Sequence, residues 1–397
     1  MHRSLDIDAP TPLLGGLTPA AFMRRHWQKK PLVVRGAWSG VRPPLARAPL
    51  FALAARDDVE SRLVRRSGRH WQVQHGPLAR RALPPLAEPG WTLLVQGLDL
   101  HVAAAHAMLD AFRFVPAARL DDLMVSWASP GGGVGPHLDS YDVFLLQLQG
   151  RRRWRIAPTR SAAERAFRAD QPLKILRRFV PTEGWLLEPG DLLYLPPLWA
   201  HDGVAEGGAC MTASIGFRAP GRGELARELL GLLAEQVDQA DQEGQADPAG
   251  QSAGAVLYAD PQQPAVARSA AVPAGLQRFA RAAVKRALAR PQAIERALGE
   301  WLSEPKPQVW FVENEPATRI GQRGLRLDAK TRMLYDAVHL FLNGESWRVG
   351  GRDATLLRRL ADTRRLAAHD AARLSAAARA QLQEWRRAGW LHDEEEP

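Results

Sequence analysis

An apolar, alternating pattern in the middle of the chain predicts a core built from β-strands. The segment from Ser140 to Gln149 is rich in Val, Phe and Leu and has the character of a strand. Leu192–Leu195 is a second, shorter apolar run, which follows a Glu-Pro-Gly-Asp turn and ends at two prolines. We therefore predict a β-rich core between about Leu120 and Phe217.

Helical patterns lie on both sides of this core. Near the start of the chain, Thr18 and Pro19 predict an N-cap and the first residue of a helix. After the core, a leucine stripe recurs at helical spacing: Leu225, Leu229, Leu230 and Leu233. Residues 239–273 are polar and rich in Gly, Pro, Gln and Ala, which predicts a loop or a partly disordered link. Two more helices follow, and the second is predicted to begin at Pro291.

The last segment, residues 306–397, has the pattern of a small α+β module. Asn343-Gly344 lies between two apolar runs and predicts a tight β-hairpin. A later helix is predicted to end at Gly389, with an inward stripe of Ala378, Leu382 and Trp385. Helices combined with one hairpin are typical of a winged helix.

A winged helix raises the possibility of nucleic-acid binding, through Arg379, Arg386 and Arg387. The alternative is that these arginines form a solvated helix face near a helix C-terminus, where cations are favoured. We favour the alternative, because the tail ends in the acidic sequence HDEEEP. Direct nucleic-acid binding is therefore not expected.

Composition narrows the class of protein. The chain has 397 residues, a hydrophobic content of 46% and a net charge of +10, which suits acidic or nucleic-acid-rich surroundings such as the ribosome. The chain has a single cysteine, Cys210, which excludes an intramolecular disulfide and suits a reducing compartment. We expect Cys210 to be a small buried hydrophobic side chain. The sequence has no apolar leader and no long apolar span, so we expect a cytoplasmic protein without membrane insertion.

The strand-like stretch after Pro136 carries unusual chemistry. His137 and Asp139 are two residues apart, so on a strand both side chains point the same way and could bind a metal. We predict a two-residue hairpin turn at Gln149-Gly150, which places Gln147 opposite Arg152. In this register Arg152 faces the same side as His137 and Asp139. The neighbouring arginines face the other way: Arg151, Arg153 and Arg155.

His201 is the candidate for a third ligand. It follows the Leu192–Leu195 strand and lies 64 positions after His137, a spacing that suits strands returning to one barrel. Two histidines and one carboxylate form the facial triad of non-haem Fe(II) oxygenases, whereas zinc more often has a fourth ligand or three histidines. Three positions then stay open for a chelating cosubstrate and dioxygen. If the cosubstrate is 2-oxoglutarate, inward Arg152 is the candidate to bind its distant carboxylate.

Several motifs together resemble the YcfD-type bacterial ribosomal oxygenases, of the JmjC branch of the cupin superfamily. They are DDLMVSWASPGGGVGPHLDSYDVFLLQLQGRRRWRI, PGDLLYLPPLWAH and SIGFRAPGRGEL, and upstream RHWQKKPLVVRGA, SRLVRRSGRHWQVQHGPL and WTLLVQGLDLH; the resemblance is strong from about Phe22 to Arg222 and weaker beyond. The resemblance implies a jelly-roll (double-stranded β-helix) α+β fold and an Fe(II)/2-oxoglutarate dioxygenase that hydroxylates an arginine of a large-subunit ribosomal protein.

Residue by residue, the resemblance implies iron ligands at His137, Asp139 and His201 and a cosubstrate arginine at Arg152. It also implies a cosubstrate contact at Ser126, and Ser214 is a further candidate. The expected units are residues 1–218, a catalytic domain with an N-terminal α/β extension; residues 219–305, a helical segment with a polar linker that forms a homodimer; and residues 306–397, the winged-helix-like domain.

Two other functions stay open at this point. One is a 2-oxoglutarate oxygenase that acts on another protein side chain, such as histidine, or on a small molecule. The other is a non-catalytic cupin regulator that uses its winged helix. For a basic substrate we expect local acidic groups to matter more than the net charge, and Asp142 and Glu183 are the candidates.

Overall fold

The structure is a computed structural model that describes residues 6–243, 257–262, 270, 272–289, 291–315 and 319–394. Of the polar link predicted over residues 239–273, the stretches 244–256 and 263–269 and residue 271 lie outside the described residues. At its start the predicted link is wrong, because residues 239–243 continue the helix Arg222–Glu243. No helix within the described ranges is both long and apolar enough to span a membrane.

Helices surround a large antiparallel sheet and fill the C-terminal module. The helices are α1 (Pro19–Arg25), α2 (Arg47–Leu53), α3 (Ala103–Met108), α4 (Arg222–Glu243), α5 (Ala274–Leu288), α6 (Ala293–Ser303), α7 (Gly351–Thr363), α8 (Ala368–Ala372) and α9 (Ala376–Arg387). The strands up to α4 are β1 (Leu32–Val34), β2 (Ser61–Ser67), β3 (His70–His75), β4 (Trp91–Val95), β5 (Leu120–Ala128), β6 (Asp142–Pro158), β7 (Glu183–Leu187), β8 (Leu192–Leu195) and β9 (Trp199–Phe217). The C-terminal strands are β10 (Leu325–Leu327), β11 (Met333–Tyr335), β12 (His339–Leu342), β13 (Glu345–Arg348), β14 (Arg365–Leu366) and β15 (Leu391–Asp393).

The strands of the first part form one antiparallel sheet in the order β1-β8-β6-β9-β5-β4-β2-β3, and β7 pairs with β6 beyond the end of β8. Side chains alternate between the two faces. Phe144 and Leu146 of β6 pack into the main hydrophobic core, with Phe22 of α1. Val143 and Leu145 face the other side and pack with Trp154. The sheet is thus buried on both faces along β6, which explains the nearly continuous apolar sequence there.

Local sequence signals set the start of the fold as predicted. The Thr18 side chain caps α1 by accepting a hydrogen bond from the Ala21 amide (3.0 Å), and Pro19 is the first helical residue. The turn before β8 is closed by the Asp191 amide, which donates to the Glu188 carbonyl (2.9 Å). Cys210 is buried on β9, as expected for a small apolar side chain.

The predicted hairpin at Gln149-Gly150 is wrong. Strand β6 runs without a turn from Asp142 to Pro158, and it pairs with β9 along its whole length. Gly150 has a positive φ of 64° within a β-bulge, where the register shifts on both sides of Gln149. A bulge and a tight turn both favour a glycine at positive φ, so the local sequence could not separate them. The partner strand decided the outcome.

The C-terminal module combines α7, α8 and α9 with two small sheets, β14-β10-β15 and β11-β12-β13. The hairpin predicted at Asn343-Gly344 is confirmed, with Leu342 paired to Glu345 across it. Gly389 follows α9 with a φ of 75°, as predicted for its C-terminus. Leu382 and Trp385 are fully buried, and Ala378 packs against the same core.

Ionic and hydrogen-bonding contacts join the module to the sheet domain. Lys306, in the connection after α6, lies between two carboxylates of β5, with Nζ 3.0 Å from Asp122 and 3.3 Å from Asp121. Arg332 donates to the Leu120 carbonyl (3.1 Å). Helix α6 begins at Ala293, two residues after the predicted start at Pro291.

Candidate functional site

The three predicted metal ligands lie together at the mouth of the curved sheet. His137 and Asp139 precede β6 on an extended segment, not on a strand as predicted, and His201 is on β9. An isolated antiparallel bridge joins the two segments: the His137 amide donates to the His201 carbonyl (3.0 Å), and the His201 amide returns a bond to the His137 carbonyl (2.8 Å). Backbone pairing therefore brings together two histidines that are far apart in the sequence.

The ligand atoms of His137, Asp139 and His201 all lie within 4.8 Å of one another. The carboxylate Oδ2 of Asp139 is 3.9 Å from Nε2 of His137 and 3.6 Å from Nε2 of His201. Within the described residues, no other cluster of three or more His, Cys, Asp or Glu side chains has this geometry. The donor set is two imidazoles and one carboxylate on one side of the space between them, which fits Fe(II) with open coordination positions.

Backbone carbonyls fix the orientation of both imidazoles. Nδ1 of His137 donates to the Gly135 carbonyl (2.8 Å), and Nδ1 of His201 donates to the Trp199 carbonyl (2.9 Å). With the proton held on Nδ1, each Nε2 carries the lone pair that a metal needs. Burial, with a further contribution from nearby His137, lowers the pKa of His201 to about 4, so this imidazole is neutral at physiological pH.

Arg152 projects from β6 into the interior beside this cluster. It is 3% exposed; Nη1 donates to Ser126 Oγ (3.3 Å) and Nη2 donates to the Gly203 carbonyl (3.1 Å). The buried Nε has no hydrogen-bond partner, and no carboxylate of the described residues forms an ion pair with this guanidinium. A buried cation that lacks an anion in its own chain fits a carboxylate ligand, because an isolated buried charge is costly.

The inward direction of Arg152 is as predicted, although its cause is different. Arg152 and Trp154 are buried while Arg151, Arg153 and Arg155 are exposed. The bulge around Gln149 and Gly150 adds one residue to the alternation, which brings Arg152 to the same face as Val143 and Leu145. A one-residue shift of register exchanges the two faces of a strand, and the bulge makes that shift here.

A cavity of about 430 Å³ contains the ligand cluster and Arg152. Both predicted serines line it, Ser126 from β5 and Ser214 from β9, and Ser214 pairs with Leu145 of β6. Side chains from β2 to β6 and from β9 surround the space, so the sheet curves around it. The rest of the wall includes these side chains: Arg62, His75, Thr92, Met124, Val134, Tyr141, Trp154, Leu173, Lys174, Ile175 and Thr212.

Neither acidic group that was expected to receive a basic substrate faces the cavity. Asp142 is fully buried on the other face of β6, where it accepts hydrogen bonds from the Tyr194 hydroxyl (2.6 Å) and from Gln28 (3.0 Å). Glu183 is exposed at the start of β7 and does not line the cavity. Alternation assigns Asp142 to the face opposite Val143, which the sequence pattern could have indicated.

Sequence reasoning missed Gly203, which is needed for close packing at the site. A Cβ atom at this position would lie 2.7 Å from Nε of Arg152 and 2.6 Å from the ring of Trp154. The Arg152 guanidinium lies over that ring, with its central carbon 5.0 Å from the ring centroid. A glycine inside a strand, two residues after a candidate ligand, is a signal of close approach that was available in the sequence.

Tyr141 supplies a second feature that the sequence did not indicate. It lines the cavity next to Asp139. Burial is the largest cause that raises the pKa of Tyr141, and the negative charges of Asp139, Asp122 and Asp121 raise it further. The hydroxyl therefore stays protonated, and the surroundings of Tyr141 are rich in carboxylates.

The solvated face expected for the arginines of α9 holds for exposed Arg387 and half-buried Arg379 but is wrong for Arg386. Arg386 is only 2% exposed, and its Nη2 lies 2.7 Å from Oδ2 of Asp393. Arg387 pairs with Glu384 (2.6 Å), and Arg379 donates to the Ala372 carbonyl (3.1 Å). Arg386 is thus part of the module core, because α9 turns this position towards β15.

Comparisons with known protein families and solved structures agree with this architecture. Residues 107–225 match the JmjC domain family, and residues 285–392 match the ROXA-like winged helix. Over 299 residues the chain is 36% identical to the ribosomal protein uL16 3-hydroxylase of Escherichia coli, which covers 74% of each protein. Over 208 residues it is 38% identical to a probable ribosomal oxygenase of Haemophilus influenzae, covering 51% of this chain and 50% of the relative.

Solved structures of E. coli YcfD have the same fold over nearly the whole chain. One superposes with a TM-score of 0.78 at 31% identity, covering 95% of this chain and 98% of the other. A second, in complex with cobalt and 2-oxoglutarate, superposes with a TM-score of 0.75 at 31% identity, covering 96% and 99%. The expected JmjC/cupin jelly roll with a winged-helix module is confirmed.

Proposed function

Because this chain belongs to the JmjC family of ribosomal oxygenases, we propose that it is an Fe(II)- and 2-oxoglutarate-dependent dioxygenase that hydroxylates an arginine of a large-subunit ribosomal protein. One observation carries the proposal: the His137, Asp139 and His201 ligand atoms share one cavity of about 430 Å³ with the Arg152 guanidinium, which has no carboxylate partner among the described residues. The E. coli relative is named for uL16, and we extend that substrate to this chain.

The chain's own residues would hold the metal and the cosubstrate. His137, Asp139 and His201 would bind Fe(II) through two Nε2 atoms and one carboxylate oxygen. Arg152 would bind the distal carboxylate of 2-oxoglutarate, and Ser126, already 3.3 Å from Nη1, would share that carboxylate. Ser214, on the adjacent strand β9, would be a further contact. Bound Fe(II) supplies the oxidation in which dioxygen and 2-oxoglutarate become succinate, carbon dioxide and one inserted oxygen atom.

Selection of an arginine needs groups that accept a guanidinium near the metal. Tyr141 provides a neutral hydroxyl on the cavity wall. The oxygen of this hydroxyl can accept a hydrogen bond from a substrate guanidinium. This arrangement replaces the earlier expectation for Asp142 and Glu183.

The experiment uses the full chain with Fe(II), 2-oxoglutarate and dioxygen, and a peptide from uL16 of the same organism. We expect mass spectrometry to find one added oxygen atom on an arginine, with succinate formed in equal amount. The control peptide carries lysine in place of that arginine and should stay unmodified. Oxidation on histidine, or only of small molecules, would contradict the arginine assignment. Absence of succinate with every substrate would favour the non-catalytic regulator.

We also propose that the chain acts in the cytoplasm as a homodimer, in which residues 219–305 supply the contact. Helix α5 has no buried side chain, and its apolar stripe of Leu276, Val284 and Leu288 is exposed. Helix α4 packs on α6 through Leu233 and Ala297, and α5 contacts this cluster through Ala287, so the stripe of Leu276, Val284 and Leu288 is left for a partner. We propose in addition that the catalytic domain ends at residue 218 and that the helical segment ends at residue 305.

Light scattering tests the dimer. The intact chain should have the mass of two copies, and the double substitution Val284→Glu with Leu288→Glu should give one copy. Arg281→Glu, on the same helix but at a polar position, should leave the dimer unchanged. A monomeric intact chain would refute the proposal.

A further inference from the structure

Two segments that border the catalytic cavity, the β2–β3 hairpin and the loop after β6, carry five cationic side chains that we call the basic rim: Arg62, Arg66, Arg69, Lys174 and Arg177. Arg62 and Lys174 line the cavity itself. Arg66 follows Arg62 on β2 after an even number of residues, so both side chains are on the same face of the strand. Arg69 is in the turn between β2 and β3. Arg177 belongs to the loop that follows β6. Apart from half-buried Arg62, these side chains are exposed.

Two sets of contacts fix the rim as one surface. Arg168 of the loop donates to the Arg69 carbonyl (3.1 Å), and the Trp71 amide donates to the side chain of Gln171 (2.9 Å). At the other end, the Leu176 amide donates to the Pro136 carbonyl (2.8 Å), next to the metal ligand His137. The loop is therefore held against the β2–β3 hairpin on one side and against the metal site on the other.

None of the five rim side chains forms an ion pair with a carboxylate in the described part of the chain. Several exposed arginines near the barrel do have such partners. On the outer face of β6, Arg153 pairs with Glu206 and Arg155 pairs with Asp202. In the loop itself, the carboxylate of Asp170 is paired with Arg168 (2.7 Å), so it does not neutralise the rim. The five rim cations therefore add up to a local excess of positive charge.

An unbalanced positive rim is unfavourable for a free basic substrate. The substrate of the proposed function is an arginine in a ribosomal protein, so the rim would repel its approach in solution. The same rim would attract that protein if a polyanion accompanied it. Ribosomal proteins meet RNA during assembly, and arginine and lysine side chains bind phosphates by releasing counterions.

We propose that the basic rim binds the phosphate backbone of RNA next to the target residue, so that the enzyme recognises a ribosomal protein together with its RNA. The identity of the protein rests on the proposed function, but the RNA surface does not. This site differs from the winged-helix arginines, from which the sequence predicted no nucleic-acid binding. It needs no sequence-specific base contacts, since all five groups are cations suited to phosphate.

Direct binding is measured first, by fluorescence polarisation of a labelled single-stranded RNA with the full chain across a range of salt concentrations. The rim variant combines Arg66→Glu, Arg69→Glu and Arg177→Glu, none of which lines the cavity. The matched control combines Arg326→Glu, Arg379→Glu and Arg387→Glu on the winged-helix module, and it changes the net charge by the same amount. Far-UV circular dichroism checks that both variants are folded.

We expect the rim variant to bind RNA at least about tenfold more weakly, with a slope of log affinity against log salt that is smaller by about 2. The control should change the affinity by less than about twofold. Equal loss in both variants, or loss only in the control, would overturn the proposal. So would displacement of RNA by poly-glutamate at equal charge concentration, which would identify an acidic protein as the partner.

Turnover is measured second, with the ribosomal protein free and with the same protein bound to its RNA fragment. The rim variant should hydroxylate the free protein at least as well as the wild type does, because it no longer repels a basic substrate, but it should lose the wild-type advantage on the RNA-bound protein. Equal loss on both forms would overturn the proposal. If the wild type hydroxylates neither form while RNA binding still depends on the rim, the proposed function fails and the RNA surface stands.

Discussion

Two buried arginines in different parts of the molecule have opposite surroundings. Arg386, in the winged-helix module, is 2% exposed and pairs with Asp393 of its own chain at 2.7 Å. Arg152, in the barrel, is 3% exposed, yet its partners are a serine hydroxyl and a backbone carbonyl, and its Nε has none. Both side chains lose their hydration, but only Arg386 gains a counter-charge within the protein.

The difference separates a structural charge from a ligand-binding one. A buried ion pair is satisfied by the fold itself, and removal of one member leaves the other uncompensated. A buried cation with only neutral partners is incompletely compensated, so it favours binding of an anion from outside. The winged helix therefore uses its arginine to hold α9 against β15, while the barrel keeps Arg152 for a carboxylate.

The largest expected effect concerns the metal site beside Arg152. His201→Ala or Asp139→Ala leaves two protein ligands, so we expect both metal binding and succinate formation to fall below detection. Mn²⁺ binding followed by electron paramagnetic resonance measures the first, and 2-oxoglutarate turnover measures the second. His75→Ala, at a cavity-lining histidine outside the cluster, is the control and should still bind the metal.

Near-normal turnover in His201→Ala would show that this histidine is not a ligand. In that case the neutral, buried imidazole would be a structural group, like Arg386 in the module.

The second prediction compares the removal of each of the two buried arginines. Arg152→Ala should weaken 2-oxoglutarate binding by roughly tenfold to a hundredfold or more, because a hydrogen-bonded contact to a charged group is worth about 1.5–3 kcal/mol. Arg386→Ala should leave 2-oxoglutarate binding unchanged and lower the free energy of unfolding by about 1–3 kcal/mol. Isothermal titration calorimetry and urea denaturation measure the two quantities.

Arg153→Ala is the control on β6, since its side chain faces outward to Glu206. It should change neither quantity appreciably, because exposed ion pairs contribute little. If Arg152→Ala and Arg153→Ala had equal effects on 2-oxoglutarate, the distinction between inner and outer faces of β6 would be wrong.

The smallest expected effect comes from Gly203. In Gly203→Ala the new methyl group would lie 2.6 Å from the Trp154 ring and 2.7 Å from Nε of Arg152, so both side chains must move to make room for it. We expect the apparent KM for 2-oxoglutarate to rise by roughly tenfold or less, since the charge is kept and only its position changes. Metal affinity should stay at the wild-type level.

Gly221→Ala is the matched control, because a Cβ there meets nothing within 4 Å. A loss of metal affinity in Gly203→Ala that equals its effect on 2-oxoglutarate would mean that the substitution disturbs the whole of β9, not Arg152 alone.

Local sequence determined those features that depend on near neighbours in the chain. Thr18 and Pro19 specify the start of α1, Asn343-Gly344 specifies its hairpin, and the two-residue period specifies that Arg152 faces away from Arg151 and Arg153. The chemical types of His137, Asp139 and His201 indicated the metal site before any coordinates, since few other functions need that donor set.

Only the tertiary structure decided what depends on distant partners. Pairing with β9 turned the expected hairpin at Gly150 into a bulge, and it brought His201 to His137 through the backbone. The ion pairs of Asp122 on β5 with Lys306, and of Arg386 on α9 with Asp393, showed which charges already have partners. Whether a buried charge is satisfied depends on groups far away in sequence, and local patterns carry no information about them.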